Sequence, residues 1–237
     1  MWPPYHTPRP LVFFYRRPSL LFDRLVAEVA AAKLPLFPYP VEGEDPWKAL
    51  PCLAPLGLSG MLLAEALPPP EGVRLEPEAR EAGVLDLLVP GVAGLVGQFT
   101  EGVGLERFLA AHFPGARALW LGPLRPALAP FLRPLGQVSV AGASFAEGDS
   151  FLARLPERAR GHVVLRGEEV QAVALKADLI LYAGGRLSLD NLQPFHAFLA
   201  LVPLDRALGE RVQVVYGLED LLAYQVRVVL ETLGYPL

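Results

Sequence analysis

The chain has 237 residues, of which 52% are hydrophobic and 19% are charged, and its formal net charge is -4. This apolar content excludes a disordered tail, and an isoelectric point of about 5.6 argues against nucleic-acid binding. The single cysteine, Cys52, excludes both a disulfide scaffold and a cysteine-based zinc site. The four histidines lack metal-ligand spacing, so no metal is expected.

Signals for a membrane or for export are not found in the sequence. The longest uncharged apolar run near the middle, residues 87–97, is about half of the ~20 residues that a membrane-spanning helix needs. The N-terminus has no apolar segment that ends in small residues, so we expect a cytoplasmic protein without membrane contact. Twenty-five prolines, with scarce Asn, Gln, Cys and Met, favour a heat-adapted protein, although genome composition explains part of this bias.

The first hundred residues alternate short apolar runs with helical stretches, which is typical of an α/β fold. Ser19 can cap a helix that continues to about Ala32, because the apolar residues that follow recur at helical spacing. The three prolines within 34–41 restrict that extended segment to a sheet edge. Other predicted elements are a strand at 11–15, an apolar run at 56–63, a helix at 76–82 and a strand or hairpin within 84–99.

A second unit begins near Thr100, which is predicted to cap a helix over 102–113 with Glu101 in its first turn. From residue 118 onward strands and helices alternate, and this order predicts a parallel sheet with right-handed crossovers. The predicted strands are 118–122, 138–141, 162–165, 178–182, 198–202 and 211–216, and the predicted helices are 124–135, 167–176, 204–209 and 218–233.

One segment of the second unit distantly resembles the nucleophile elbow of serine hydrolases. It reads Gly142-Ala-Ser144-Phe-Ala146, with Asp178 or Asp190 and then His196 downstream in the hydrolase order. The second glycine of the elbow is replaced by alanine here. The simpler interpretation is that Ser144 ends a strand in a loop, so a serine hydrolase using Ser144 is a remote alternative.

The segment 118–141 has the strand–turn–helix order in which dinucleotide-binding folds hold a pyrophosphate. Such a turn needs glycines and free N–H groups at the start of the helix. Here the turn reads Gly122-Pro-Leu-Arg-Pro126, so two prolines remove N–H donors and two side chains stand where glycine is expected. Gly122 fits the end of the strand, and Arg125 is either a phosphate contact or a solvated surface charge. The scaffold of a nucleotide site is predicted, but most of its chemistry is missing.

The last predicted helix places a polar residue on its apolar face. Gln225 lies at helical spacing from Leu218, Leu221, Leu222 and Val229. An inward-facing glutamine needs a hydrogen-bond partner. It is therefore either a core residue satisfied by backbone or water, or a cleft residue that binds a ligand.

With these residues in place, the chain resembles the shikimate dehydrogenase family. Gly83-Val-Leu-Asp-Leu-Leu88 is similar to the family's Ala-Val-Asn-Thr-Val strand, and Gly97-Gln-Phe-Thr-Glu101 to its Gly-Phe-Asn-Thr-Asp motif. Ala118 to Ser144 is similar to the nucleotide-binding unit through the Asn-Arg-Thr motif. Leu221-Leu-Ala-Tyr-Gln225 is similar to the C-terminal Met-Leu-x-x-Gln helix. No motif is complete, and the resemblance depends on their order and spacing.

The resemblance implies two α/β domains. An N-terminal substrate-type domain would comprise 1–101 together with 218–237, and a Rossmann-like domain with a parallel sheet would comprise 102–217. The site would lie in the cleft between these domains. The family transfers hydride between NADP and a cyclic hydroxy acid, which implies a link to aromatic amino acid biosynthesis. A monomer or homodimer is expected.

The resemblance also assigns site residues, and several depart from the family pattern. The family's catalytic lysine falls at Ala64, and none of the three lysines is nearby. Its aspartate partner falls at Glu101, which becomes the candidate acid/base. Asp86 stands at a substrate-binding asparagine and Ser19 at a substrate-binding serine. Thr100 and Gln225 match the family, while Gly122, Arg125 and Ser144 are weak cofactor candidates.

Two functional hypotheses follow from this pattern. The first is a pseudoenzyme without standard dehydrogenase activity or cofactor, which binds a small molecule or a protein partner in the interdomain cleft. It is favoured because losing the lysine removes a group worth roughly 10²–10⁴ in rate. The second is an active NADP-dependent shikimate or quinate oxidoreductase in which Glu101 is the acid/base. An unrelated α/β enzyme, such as the hydrolase, is the third.

Overall fold

A computed structural model describes residues 8–53, 55–204 and 208–235. The chain divides into two compact units, one containing residues up to Gly104 and those from Leu222 onward, the other Leu105–Leu221. These divisions lie three and four residues from the predicted boundaries. No helix in the described ranges is long and apolar enough to cross a membrane.

The first unit contains a mixed six-stranded sheet in the order β2-β1-β3-β5-β6-β4. Strands β1, β2 and β3 are parallel, and β5 is antiparallel to both β3 and β6. The strands are β1 (Arg9–Tyr15), β2 (Leu36–Glu42), β3 (Gly60–Leu67), β4 (Arg74–Leu75), β5 (Leu85–Gly91) and β6 (Gly94–Gln98). The helices beginning in this unit are α1 (Leu20–Ala31), α2 (Leu50–Leu53), α3 (Pro77–Ala82) and α4 (Thr100–His112), with a 3₁₀ helix at Pro46–Ala49.

Strand β2 lies at the edge of this sheet, as its prolines predict. The Gly43 N–H donates to Tyr15 O and the Arg9 N–H to Pro35 O, so the odd-numbered residues of β2 face β1. Pro38 and Pro40 therefore face the outer edge, where no ladder hydrogen bond is lost.

The second unit contains an entirely parallel sheet in the order β12-β11-β10-β7-β8-β9. Its strands are β7 (Arg117–Leu121), β8 (Gln137–Ala141), β9 (Arg160–Val164), β10 (Leu179–Tyr182), β11 (Ala197–Ala200) and β12 (Val214–Tyr216). Its helices after α4 are α5 (Phe145–Leu152) and α6 (Gly167–Ala174), with 3₁₀ helices at Pro126–Leu132, Glu157–Ala159, Leu189–Asn191 and Gly209–Arg211. The last helix, α7 (Leu218–Thr232), belongs to the first unit from Leu222 onward. The predicted α/β class with a Rossmann-like parallel sheet is confirmed.

Several local predictions were wrong, and each has a physical reason. The helix predicted at 124–135 is a 3₁₀ helix, Pro126–Leu132, because Pro130 removes a hydrogen-bond donor within it. The sequence predicts no helix or strand directly after β8, but this stretch contains α5. Thr100 is the first residue of α4 rather than its cap. The helix predicted at 204–209 includes residues outside the described ranges.

Gly104 permits the close approach of α4 and α7 within the first unit. A Cβ at Gly104 would lie 2.8 Å from the Gln225 amide nitrogen and 2.9 Å from its Cα, both backbone atoms that cannot rotate away. The close crossing of α4 and α7 therefore fixes the position of the Gln225 backbone relative to α4.

Gly104→Ala is expected to destabilise the protein by about 1–3 kcal/mol, as overpacking does, because α7 must move away from α4. Gly167→Ala is the matched control, since Gly167 is also helical and a Cβ there meets nothing within 4 Å. Urea unfolding of the two variants provides the comparison. Equal stability of both would contradict the close crossing.

Candidate functional site

Three predicted site residues meet in the first unit around one buried carboxylate. Asp86 on β5 is 1% exposed, Thr100 is 0% exposed and Gln225 is 5% exposed. Asp86 Oδ1 accepts a hydrogen bond from the Thr100 N–H at 2.6 Å, and Oδ2 accepts from the Glu101 N–H at 2.8 Å. The Gln225 amide donates to Asp86 Oδ2 at 3.2 Å and to Thr100 Oγ1 at 3.4 Å. We call these three residues the Asp86 cluster.

The Asp86 cluster satisfies the start of helix α4. The first N–H groups of a helix have no partner within the helix, and the N-terminus carries partial positive charge. The Asp86 carboxylate accepts hydrogen bonds from two of these N–H groups, and Asp86 lies on β5, fourteen residues before Thr100. Because the cluster is buried and its members bind one another, they hold β5, α4 and α7 together.

The Asp86 carboxyl has a strongly perturbed acidity. Burial raises its pKa from 3.8 to about 7, and the hydrogen bonds from the Thr100 and Glu101 N–H groups oppose this rise. The nearby charge of Glu101 raises the pKa further. Asp86 therefore changes charge near neutral pH although water does not reach it.

Ser19 and Ala64, the other residues predicted from the family's substrate and lysine positions, make no hydrogen bond to the Asp86 cluster. Ser19 Oγ accepts a hydrogen bond from the Leu21 N–H at 3.3 Å and caps α1, as its position before the helix predicts. Ala64 lies on β3 and is partly buried. It lines a pocket at the carboxyl ends of β1 and β3, together with Phe14, Tyr15, Arg16, Pro46, Leu63, Glu65 and Leu67. We call this the β1–β3 pocket.

The β1–β3 pocket lies at a topological switch point of the first sheet. The chain leaves β1 toward β2 on one side and later places β3 on the other side. In α/β sheets, ligands bind outside the carboxyl ends of strands at such points. Arg16 and Glu65 are not among the site residues predicted from the sequence. The arginine directly after a buried strand was the available signal.

The predicted cofactor turn in the second unit differs from a phosphate cradle. Gly122 has φ +100°, and a Cβ there would lie 2.3 Å from Gly184 O, so only glycine fits. The Trp120 indole N–H donates to the Pro123 carbonyl at 3.1 Å. A 3₁₀ helix starting at Pro126 follows, and its cap residue Arg125 provides no side-chain cap bond. After Gly122 the turn lacks the further glycines and the α-helix N-terminus that a pyrophosphate requires, and these residues do not fit a dinucleotide.

The residues of the hydrolase alternative have structural roles. Ser144 has extended backbone and caps α5 by accepting from the Glu147 N–H at 3.2 Å. His196 is fully buried; its Nδ1 accepts from the Gln193 N–H, and Nε2 donates to Ala174 O. Burial also lowers the pKa of His196. Both imidazole nitrogens are occupied, so His196 has no free nitrogen to activate a serine. Among the described residues no group of three His, Cys, Asp or Glu side chains is arranged to hold a metal.

Comparisons by sequence find no matching family model and no matching curated protein. Solved structures with the same fold include shikimate 5-dehydrogenase from Listeria monocytogenes in complex with shikimate and NAD. Its TM-score is 0.76 at 15% identity, covering 95% of this chain and 91% of that chain. A ligand-free 5-ketofructose reductase from Gluconobacter sp. strain CHM43 has TM-score 0.76 at 15% identity, covering 97% and 94%. Quinate dehydrogenase from Corynebacterium glutamicum in complex with NAD has TM-score 0.72 at 15% identity, covering 95% and 93%. The predicted resemblance is confirmed at the level of the fold.

The raised pKa of Asp86 predicts a pH-dependent stability. Protonated Asp86 favours the folded state, so its contribution is complete below the unfolded-state pKa of about 3.9 and is lost as pH rises to about 7. Urea unfolding of wild type and Asp86→Asn at pH 5, 6, 7 and 8 measures this. The free energy of unfolding of wild type relative to the variant should fall up to pH 7 and then level off. A difference that stays constant or grows with pH would mean that Asp86 is ionised throughout.

Ser144→Ala should cost about 1 kcal/mol of unfolding free energy, as loss of a helix cap does. Thermal or urea unfolding measures this cost. An esterase activity of the wild type that disappears in the variant would instead support the hydrolase alternative.

Proposed function

We propose that this chain is a ligand-binding protein with the shikimate dehydrogenase fold and without nucleotide-dependent hydride transfer. The observation that carries the proposal is the turn Gly122–Pro126, in which two prolines and a 3₁₀ helix replace the N–H cradle for a pyrophosphate. The position assigned to the catalytic lysine is Ala64, so a second requirement of the reaction is also unmet.

The proposed ligand site is the β1–β3 pocket of the first unit. It lies outside the carboxyl ends of parallel strands, and it contains an arginine, a tyrosine and a glutamate next to an apolar wall. The Asp86 cluster contributes by fixing the helices of this unit, since its own polar atoms are buried. That the ligand binds between the two domains stays a prediction.

The second candidate is an NADP-dependent oxidoreductase in which Glu101 is the acid/base. Its support is that solved structures with this fold include NAD complexes of shikimate 5-dehydrogenase and of quinate dehydrogenase. Glu101 lies at the start of α4, and its backbone N–H binds Asp86. The turn after β7 opposes this candidate.

Titration of NADP⁺ and NAD⁺ into the protein by calorimetry, with and without shikimate, separates the two candidates. We expect no saturable binding up to millimolar concentration, because the pyrophosphate finds no N–H cradle. The Listeria monocytogenes enzyme, treated identically, is the positive control.

Saturable binding of either nucleotide would overturn the proposal. NADPH-dependent reduction of dehydroshikimate that is lost in Glu101→Ala would establish the oxidoreductase instead.

A further inference from the structure

Strand β2 presents an exposed apolar surface at the edge of the first sheet. The segment Leu34-Pro-Leu-Phe-Pro-Tyr-Pro-Val41 contains no charged residue, although most of it forms an edge strand. Phe37 is 55% exposed and Tyr39 is 54% exposed, and their ring centroids lie 6.4 Å apart. Exposed edge strands usually carry charged side chains, so an apolar one indicates a surface that another molecule covers.

The aromatic side chains of β2 share one face of the sheet. Side chains of paired residues lie on the same face, and alternate residues along a strand share it. The parallel register pairs alternate residues of β1 with those of β2, namely Pro10 with Phe37, Val12 with Tyr39 and Phe14 with Val41. Because Val12 and Phe14 are buried, Phe37 and Tyr39 extend the apolar surface of that face to the edge of the sheet.

The two ends of β2 carry opposite charges. Arg9 pairs with Leu36 at the beginning of the strand, Lys33 lies three residues before Leu36, and both cations are exposed. Glu42 ends the strand, Glu44 follows it, and both are exposed as well. None of these four charged side chains forms an ion pair within the described residues. The edge is therefore basic at one end, apolar in the middle and acidic at the other end.

This distribution of charge fits a second copy of the same chain. A two-fold axis perpendicular to the sheet sets the two β2 strands antiparallel and brings the basic end of each copy to the acidic end of the other. Arg9 is paired with the residue three before Tyr39, and Glu42 is three residues after Tyr39. With the axis at Tyr39, Arg9 therefore faces Glu42 of the second copy. The same axis places Phe37 opposite Val41 of the second copy.

The prolines of β2 determine how the two edges meet. Pro38 and Pro40 face the outer edge and have no N–H, so the two strands cannot form a regular hydrogen-bonded pair. The copies are instead held by ring and alkyl contacts in the middle and by ion pairs at both ends. Because each copy uses the same patch, the contact closes at two copies and does not continue into a fibre.

The size of this surface predicts a weak association. A buried aromatic side chain contributes about 150–250 Å², and about half of Phe37 and of Tyr39 is already covered. The two rings thus supply only about 200 Å² of the ~800 Å² per partner that a stable interface buries. We expect a dissociation constant in the micromolar range.

We infer that the exposed edge of β2 is the interface of a weak two-fold symmetric homodimer, in which Phe37 and Tyr39 pack near the axis and Arg9 pairs with Glu42 of the second copy. This interface is separate from the ligand site and from the cofactor turn, so it goes beyond the proposed function.

Sedimentation velocity of the full-length chain over about 1 to 500 µM measures this association. The wild type should form dimers within this range and no larger species. Tyr39→Ser should weaken the dimer at least about tenfold, because it removes an aromatic contact at the axis from both copies. Phe145→Ser is the matched control, since Phe145 is 63% exposed but lies in the second unit, and it should dimerise as wild type does.

Charge reversal tests how the two copies are arranged. Arg9→Glu and Glu42→Arg should each weaken the dimer at least about tenfold, because each places two pairs of like charges across the axis. An equimolar mixture of the two variants should dimerise as wild type does, since a mixed dimer has one native ion pair and one with its charges exchanged. Glu157→Arg and Arg158→Glu reverse exposed charges in the second unit and should change nothing.

Urea unfolding of every variant verifies that it is folded. A wild type that stays monomeric over the whole range would overturn the inference. So would dimers that persist in Tyr39→Ser or in both charge reversals, because another surface would then associate. Failure of the mixture to dimerise would overturn the antiparallel arrangement. The nucleotide titration tests the proposed function independently of all these outcomes.

Discussion

The structure of the first unit depends on a carboxylate that is buried against the beginning of a helix. A helix start leaves N–H groups unpaired, and a buried unpaired donor costs about 1–3 kcal/mol. Asp86 satisfies two of them from β5, and Gln225 joins the same carboxylate from α7. One side chain thus joins β5 to α4, fourteen residues later, and to α7, which is 139 residues away at Gln225. The cost is a charge held away from water, which the raised pKa reflects.

This constraint also changes how the site residues are interpreted. The resemblance assigns Asp86, Thr100 and Gln225 to substrate-binding positions of the family. The structure brings them together, but it buries them against one another. The polar atoms that a ligand would need are used to hold β5, α4 and α7 together. A fold can persist in this way while the chemistry of its site changes.

The sequence predicted the architecture well and the local irregularities poorly. The alternation of strands and helices predicted the parallel sheet, and the prolines of 34–41 predicted an edge strand. Both signals depend only on residues that are close together in the sequence. The segment Pro126–Leu132, which contains Pro130, is a 3₁₀ helix instead of an α-helix, and α5 forms although it contains Gly148. Apolar periodicity predicts neither of these two elements. Arg16, just after β1, and Glu65, on β3, line one pocket because β1 and β3 pair in the sheet, and that pairing has no signal in the sequence. Heat adaptation, cytoplasmic location and oligomeric state stay predictions.

The edges of the first sheet have a consequence for association. At one edge, β2 turns Pro38 and Pro40 outward and offers no N–H at either residue. At the other edge, β4 has only two residues. Such edges discourage an incoming strand from another molecule. Although the chain is 52% hydrophobic, the edges of this sheet therefore disfavour aggregation by strand pairing between molecules. A homodimer formed through this unit would have to be held by side-chain contacts.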